Sequence, residues 1–481
     1  MNKILFLPNK RLVKISHKLS SAVSVWHPPS FPTFAEYITP FTRLKRSLAF
    51  IGVLSLIHCT GMAQNSFLLK PDRVFDGLEI HEGWRVWVRD EKIVLVGEQK
   101  TVEAEAHKSQ TSGRNPLQII DLKGCTLLPG FIEGHSHLFL HPYNETTWDD
   151  QVLKEARSLR TARATLHAQK TLMAGFTTVR DLGTEGAEFD DVGLKQAIHQ
   201  GIIPGPRMII ATKALIATGS YAPKGFSPDI DVPQGAEEAD GHDRLIQAVR
   251  RQIGKGADVI KIYADYRWGL MGEARPTFLL DEIKLIVETA RSSGRPTIAH
   301  AGSAEGMRRA ILGGCETLEH GDAGTPEIFS LMHDKGVALC PTLAAGDAVA
   351  QYRGWKKGTD QEPERIKNKR ITFKQALDAG VTICFGGDVG VFSHGDNARE
   401  MEMMVDYGMK PIDVLRSATS TNAQIFHLSQ AGNVKANFWA DLVAVEGRPE
   451  EHISDVRKVK FVMKNGVIFR HDTSLNPMPA K

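Results

Sequence analysis

Short apolar runs recur between residues 127 and 385, and most of them are followed by a stretch with helical spacing. In one such stretch, Ile283, Ile286 and Val287 share one face of a predicted helix. Eight alternating strand and helix units favour an α/β fold of the (β/α)8 TIM-barrel class. A doubly wound open sheet is disfavoured, since no GxGxxG motif follows the first strand. The predicted strands are 127–137, 177–181, 207–211, 259–263, 296–300, 316–320, 337–341 and 381–385.

Strands with alternating apolar and polar residues stand on both sides of this region. Each set is too small to form a domain alone, so we expect a small β-sandwich domain built from both chain ends. The predicted organisation is a leader and signal peptide (1–63), the first part of the sandwich (64–128), the barrel (129–428) and the second part of the sandwich (429–481).

The formal net charge of +3 hides an uneven distribution of basic residues. The first 63 residues carry eight of the 59 basic residues and one of the 56 acidic ones, so the remainder is near −4. A basic cluster at 43–46, an apolar run at 47–57 and small residues up to Ala63 follow in the order of a secretory signal. We therefore expect an exported protein, periplasmic or secreted, with a signal peptide over about residues 43–63. The 42 residues before the cluster are either a Pro-containing leader or the product of a start site assigned too far upstream.

Histidine, lysine and aspartate side chains occupy the carboxyl ends of the predicted barrel strands. Because these ends meet at one mouth of a barrel, residues far apart in sequence are expected to converge there. A lysine buried among apolar neighbours would cost several kcal/mol unless its charge is removed or paired. The candidates are His135 and His137 in the first strand, Lys261 in the fourth, His300 in the fifth, His320 in the sixth and Asp388 after the eighth.

The motifs at 128–137, 174–181, 259–261, 299–300, 319–321 and 386–388 resemble those of the amidohydrolase superfamily. Within it, the chain is similar to the imidazolonepropionase-like branch of metal-dependent prolidases and ochratoxin-hydrolysing amidases. The resemblance covers about residues 68–470. It implies that Lys261 is carboxylated by CO2 to N6-carboxylysine and bridges two divalent metals. It also implies one metal bound by His135, His137 and Asp388, and another bound by His300 and His320.

The function implied is a binuclear metal-dependent amidohydrolase that cleaves dipeptides or N-acyl amino acids in the manner of a prolidase or carboxypeptidase. A metal-bridging hydroxide would attack the amide, with Asp388 moving the proton to the leaving nitrogen. Zinc suits four imidazoles with mixed oxygen ligands best, and manganese or cobalt stay open. The stretch 218–224 departs from the Gly/His-rich run of many prolidase relatives, which leaves room for larger N-acyl amino acids.

Two other functions stay open on the same residues. One is a lactone or phosphoester hydrolase, and the other is a non-catalytic binding protein, which is disfavoured because all six ligand positions are present. The mildly acidic mature chain argues against nucleic-acid binding, no membrane association is expected after processing, and homo-oligomerisation is open.

Substrate contacts are expected from the loops that follow the barrel strands. Tyrosine and tryptophan there suit an apolar or aromatic side chain, and related enzymes hold a substrate carboxylate with a tyrosine or a basic residue. The four cysteines after the signal are expected to be buried thiols. The candidate substrate contacts are His141, Tyr143, Asn144, Tyr221, Lys224, Tyr263, Tyr266, Arg267, Trp268 and His394.

Overall fold

The computed structural model of the protein describes residues 65–110 and 116–472. The predicted leader and signal peptide lie outside these ranges. Within the described ranges, no helix combines the length and the apolar character that crossing a bilayer requires. The cysteines there, Cys125, Cys315, Cys340 and Cys384, are buried and free, as predicted.

The described chain begins with strands that pack one face against a core. β5 runs parallel to β1, while β3 pairs antiparallel with both β1 and β4. Leu69, Val86 and Leu127 are fully buried between these strands and their neighbours. The elements are β1 (Ser66–Phe75), β2 (Ile80–Glu82), β3 (Trp84–Arg89), β4 (Lys92–Glu98), α1 (Gln99–Gln110) and β5 (Leu117–Pro129).

The middle of the chain alternates strands with helices, as the apolar pattern predicts. The strands are β6 (Phe131–Ser136), β7 (Phe176–Asp181), β8 (Arg207–Ile210), β9 (Leu215–Ile216), β10 (Glu237–Glu238), β11 (Ile260–Tyr263), β12 (Asp265–Arg267), β13 (Ala274–Pro276), β14 (Thr297–Ala301), β15 (Thr317–His320) and β16 (Ala338–Cys340). The helices are α2 (Trp148–Lys154), α3 (Arg157–Met173), α4 (Asp190–His199), α5 (Gly241–Lys255), α6 (Leu280–Arg291), α7 (Ala304–Gly313), α8 (Pro326–Lys335), α9 (Leu343–Tyr352) and α10 (Glu364–Asp378). On α6 the predicted apolar face is buried, with Ile283 and Ile286 fully inaccessible.

The last part of the chain returns to the first sheet. Its elements are α11 (Ala398–Asp406), α12 (Pro411–Arg416), a π-helical turn (Ser417–Thr421), α13 (Asn422–Ile425), β17 (Leu442–Glu446), a 3-10 turn (Ile453–Arg457), β18 (Val459–Lys464) and β19 (Val467–His471). β17 pairs antiparallel with β5 and with β18, which pairs with β19. Both ends of the described part of the chain therefore share one eight-stranded sheet. Two packed sheets, as in a sandwich, stay a prediction.

The parallel strands of the middle region pair largely in chain order. β6, β7 and β8 form one sheet, and β9, β11, β14, β15 and β16 form another together with β10. The two sheets are linked where the backbone nitrogens of Asp258 and Val259 donate to the Ile210 carbonyl, at 2.8 and 3.3 Å. On the other side, Gly134 N donates to the Phe385 carbonyl at 3.1 Å. Because neighbouring strands run parallel, their carboxyl ends open on the same side.

Two predicted strands differ from the structure. The predicted strand 127–137 is split at Gly130, where a Cβ would lie 2.1 Å from Thr177 Oγ1; the residues before it belong to β5 and those after it to β6. The predicted strand 381–385 forms only an isolated bridge at Ile383. At the end of this segment the Asn422 side chain accepts from the Phe385 N–H (3.1 Å) in place of a ladder bond, and it shares the Phe385 carbonyl (2.8 Å) with Gly134 N.

Candidate metal centre and substrate pocket

A pocket of about 1010 Å³ opens at the carboxyl ends of the parallel strands. Lys261, one of the six candidate ligands, lies on β11 with 1% of its surface exposed. Its Nζ is 5.8 Å from the centre of the Tyr263 ring. The structure thus brings together side chains from β6, β11, β14, β15 and the segment after Phe385. The other five candidate ligands line the pocket: His135, His137, His300, His320 and Asp388.

The histidine rings lie close enough together to bind the same metal ion or two neighbouring ones. The ring centres of His135 and His320 are 5.2 Å apart, and those of His300 and His320 are 4.4 Å apart. One ligand atom from each of His135, His320 and Asp388 lies within 4.8 Å of the others. Asp388 Oδ1 is 3.5 Å from His137 Nε2 and 3.7 Å from His135 Nε2. This spacing of nitrogen and carboxylate donors fits a divalent metal site.

Three of the four histidines are oriented by contacts at Nδ1, which leaves Nε2 directed into the cluster. A carbonyl oxygen can only accept, so the Nδ1 of His137 carries the proton in its contact. Such contacts fix the tautomer and the ring plane of metal-binding histidines. The contacts are His135 Nδ1 to Glu319 Oε2 (2.7 Å), His137 Nδ1 to the Gly183 carbonyl (2.8 Å) and His320 Nδ1 to Thr342 Oγ1 (2.8 Å).

Glu319 joins the histidine cluster to a buried arginine. Its Oε1 accepts from Arg180 Nη2 at 2.8 Å and from the Thr317 hydroxyl at 2.7 Å, while Oε2 contacts His135. Glu319 is fully buried and Arg180 is 2% exposed, so their charges compensate each other out of water. Arg180 also donates to the Gly134 carbonyl at 2.7 Å. The pair therefore holds the β6 backbone and the His135 ring in one arrangement.

Substituting Glu319→Gln should weaken both the fold and metal retention. The change leaves Arg180 buried without its counter-charge, which costs about 3–5 kcal/mol of unfolding free energy. Loss of the carboxylate that orients His135 should lower metal affinity about 10–100-fold. Denaturant unfolding and metal titration measure the two effects. The control is Glu316→Gln, whose half-exposed carboxylate pairs with His427 at the surface; equal behaviour of the two variants would contradict the role given to Glu319.

Lys261 is the candidate ligand with the fewest partners. Within residues 65–110 and 116–472, its amine makes no hydrogen bond or ion pair. Burial lowers the pKa of Lys261, since water no longer solvates the ammonium form. Because its pKa is lowered, this buried amine is more readily neutral, and therefore nucleophilic, than an exposed lysine at neutral pH.

Asp388 and His320 both hold left-handed backbone conformations. Their φ angles are +63° and +78°, which non-glycine residues adopt only where surrounding contacts impose them. For Asp388 one such contact is its backbone N–H, which donates to the His135 carbonyl at 2.9 Å. Burial raises the pKa of the Asp388 carboxyl from 3.8 to about 6. In the metal-free site the carboxyl therefore titrates close to neutral pH.

Glu133 connects β6 at His135 with the segment that carries Asp388, and it was not among the predicted site residues. It is fully buried, with Oε1 accepting from the backbone nitrogens of His135 (3.0 Å) and Gly387 (2.9 Å). Its Oε2 accepts from Asn397 Nδ2 at 2.8 Å. Glu133 and Glu319 stand one or two residues before predicted histidines in strands predicted to be buried. A buried acid beside a candidate ligand was the available signal for both.

The predicted substrate contacts divide into two groups. His141 and His394 are buried away from the pocket: His141 contacts Glu145 and Glu155, each at 2.9 Å, and His394 Nε2 contacts the Leu140 carbonyl at 3.0 Å. Asn144, Lys224 and Trp268 are also absent from the pocket lining. The remaining candidates line the pocket: Tyr143, Tyr221, Tyr263, Tyr266 and Arg267.

The sequence matches known proteins over most of its described length. The model of the family described as "Amidohydrolase family" matches residues 126–469. Ochratoxinase of Aspergillus niger is 29% identical over 419 residues, which cover 80% of this chain and 82% of that protein.

Solved structures show the same fold. The structure described as a Xaa-Pro dipeptidase with methionine bound in the active site is 30% identical, with a TM-score of 0.72 over 84% of this chain and 100% of that one. A prolidase in complex with N-methylphosphonate-L-proline is 28% identical, with a TM-score of 0.70 over 85% of this chain and 100% of that one.

Proposed function

The chain belongs to the amidohydrolase family and is a hydrolase of amide or peptide bonds, and from this premise we propose that it cleaves dipeptides or N-acyl amino acids with two divalent metal ions. One observation carries the proposal: donor atoms of His135, His320 and Asp388 lie within 4.8 Å of one another. They do so in a pocket beside the buried Lys261. Relatives described as ochratoxinase and Xaa-Pro dipeptidase support amide substrates with a C-terminal amino acid.

We further propose that the parallel strands close into a (β/α)8 barrel. Support comes from the backbone bonds that link β8 to the start of β11 and Phe385 to β6. The isolated bridge between Leu339 and Ile383 supplies the remaining link. In a closed barrel the carboxyl ends of all the strands meet at one mouth, where the candidate ligands would surround the proposed metals.

The residues present fit the proposed metals. His135, His137 and Asp388 would hold one ion, His300 and His320 the other, and Lys261 would bridge both as a carbamate. Lys261 suits this role because its amine is buried, makes no hydrogen bond or ion pair within residues 65–110 and 116–472, and has a pKa lowered by burial. Zinc is the proposed metal, since histidine nitrogens dominate the donor set. Two such ions when bound would polarise the amide carbonyl and activate water at neutral pH.

The side chains of the chain supply the remaining steps. Asp388 Oδ1 takes the proton from the attacking water and delivers it to the departing nitrogen, which leaves poorly unless protonated. Glu319 keeps the His135 ring in place while charge develops, because its own position is fixed by Arg180. Tyr263, stacked on His300 with ring centres 4.6 Å apart, shields that side of the site from water.

The test combines metal analysis with hydrolysis of a panel of dipeptides and N-acyl amino acids. We expect about two metal equivalents per chain and release of the C-terminal amino acid. The same preparation is offered a lactone and a phosphotriester, which separate the alternative hydrolase functions. Full metal content without turnover of any amide in the panel would refute the proposed substrate class.

Export, processing near Ala63 and a metal-loaded mature form are proposals that rest on the sequence. Cell fractionation and N-terminal sequencing of the mature protein test them. A mature chain that begins at Met1 in the cytoplasm would contradict the proposed signal.

A further inference from the structure

A buried carboxylate lies in the pocket wall next to the metal cluster, and it belongs to none of the candidate ligands. Glu185 follows β7, lines the pocket and is 2% exposed. Its φ of +49° is left-handed, which a glutamate adopts only where the surrounding structure imposes it. The fold therefore holds this side chain in the pocket at a cost in backbone strain.

Aromatic donors surround the Glu185 carboxylate. Oε2 accepts from Trp148 Nε1 at 2.8 Å and from the Tyr221 hydroxyl, and Oε1 is 3.3 Å from the Tyr263 hydroxyl. The ring centre of Tyr221 lies 4.7 Å from that of Tyr263 and 4.8 Å from that of Tyr266. We call Glu185, Trp148, Tyr221, Tyr263 and Tyr266 the aromatic box.

The carboxylate of the box makes no ion pair in the described part of the chain. Arg160 is a buried cation near the Glu185 loop: its charge acts on Glu185 through space, but its guanidinium donates to the carbonyls of Phe139 (3.1 Å) and Thr184 (3.0 Å) and not to the carboxylate. A carboxylate offers about four lone-pair positions, of which the three aromatic donors use three. Aromatic faces around a carboxylate attract a cation and repel an anion. The box is thus complementary to an ammonium group.

The distance between the aromatic box and the metal cluster determines which ammonium group of a substrate can reach Glu185. A Cβ placed on Gly183 would lie 3.5 Å from Glu185 Oε1 and 3.8 Å from His137 Cε1. The box and the candidate ligand His137 are therefore separated by about the width of one side chain. The α-amine of an N-terminal residue is two bonds from the carbonyl carbon to be attacked, whereas a lysine side-chain amine is far beyond this reach.

We propose that Glu185 and the aromatic box bind the free α-ammonium group of a dipeptide substrate, and so favour dipeptides over N-acyl amino acids. This inference rests on the proposed function and decides between its two substrate classes. Glu185 acts here as a specificity residue, because it selects the charge of the group next to the scissile carbonyl. A charged hydrogen bond of this kind corresponds to about 10–100-fold in affinity.

The test compares a dipeptide with its N-acetylated form in the wild type and in Glu185→Gln. We expect the ratio of kcat/KM, free over acetylated, to fall at least about tenfold in the variant, mainly through a higher KM for the free dipeptide. Glu188→Gln makes the same change on the same loop, where the carboxylate pairs with Lys213, and should leave the ratio unchanged. If Glu185 only supports the fold or the metal cluster, kcat/KM in Glu185→Gln falls equally for the free and the acetylated dipeptide. An unchanged ratio of the two values overturns the proposal.

A binding measurement separates this inference from the proposed function. Leucinol and 4-methyl-1-pentanol differ only in the amine, and neither contains a bond that the enzyme hydrolyses. Calorimetry should show that the metal-loaded wild type prefers leucinol and that Glu185→Gln loses this preference, even if no peptide is turned over. Equal binding of the two compounds by the wild type, or an unchanged preference in the variant, overturns the inference.

Discussion

Replacing Lys261 by alanine is expected to abolish amide hydrolysis and to lower metal content. Lys261 is the proposed bridge between the two metals, and its β11 neighbours Ile260 and Ile262 have no oxygen or nitrogen in their side chains. Without it, water loses the activation that brings its pKa from 15.7 to about 7, so kcat/KM should fall at least about 10³-fold. Steady-state kinetics on the best dipeptide of the panel, with metal analysis of the same sample, measures both effects.

Two further observations make the Lys261 prediction specific for a carbamate. Lys261→Ala leaves space in which added acetate or propionate can supply the missing carboxylate, so these acids should restore part of the activity. Lys261→Met fills that space with a side chain of similar length, so it should stay inactive at every acid concentration. Rescue in both variants, or substantial activity without added acid, would refute the bridging role of Lys261.

The sequence predicts the alternating middle region well because its central strands, β11, β14 and β15, are buried on both sides. Such strands appear as continuous apolar runs, and the strands 259–263, 296–300 and 316–320 coincide with β11, β14 and β15 within about one residue. The segment 381–385 has the same apolar pattern, but the Asn422 side chain takes the Phe385 N–H in place of a neighbouring strand. Side-chain capping of this kind depends on tertiary contact, which periodicity does not report.

The positions of the candidate ligands could be predicted from the sequence for a different reason. Parallel strands deliver their carboxyl ends to one side, so position in a strand predicts position in space for His135, His300 and His320. The loop residues carry no such relation. His141 and His394 have the chemistry of substrate contacts, yet both are buried against acids or carbonyls outside the pocket. Glu185 has no local signal, because its role depends on rings contributed by α2, the loop after β9, β11 and β12.

Replacing Asp388 by asparagine is expected to lower kcat by about 10²–10⁴-fold, with a much smaller change in KM. Asparagine keeps an oxygen at the Oδ1 position, 3.5 Å from His137 Nε2, so most of the metal should be retained. Its side-chain amide has no ionisable group, so it cannot accept the proton of the attacking water and return it to the leaving nitrogen. The loss should therefore fall on the chemical step.

The leaving group provides the decisive comparison for Asp388→Asn. An amide nitrogen must be protonated to depart, whereas the oxygen of an activated aryl ester departs without a proton. The variant should lose much more activity on the amide than on the ester of the same acyl group. The control is Asp396→Asn, whose carboxylate pairs with Arg457 at the surface and should leave both rates unchanged. Equal losses on amide and ester would assign Asp388 to metal binding alone and refute its role as the proton carrier.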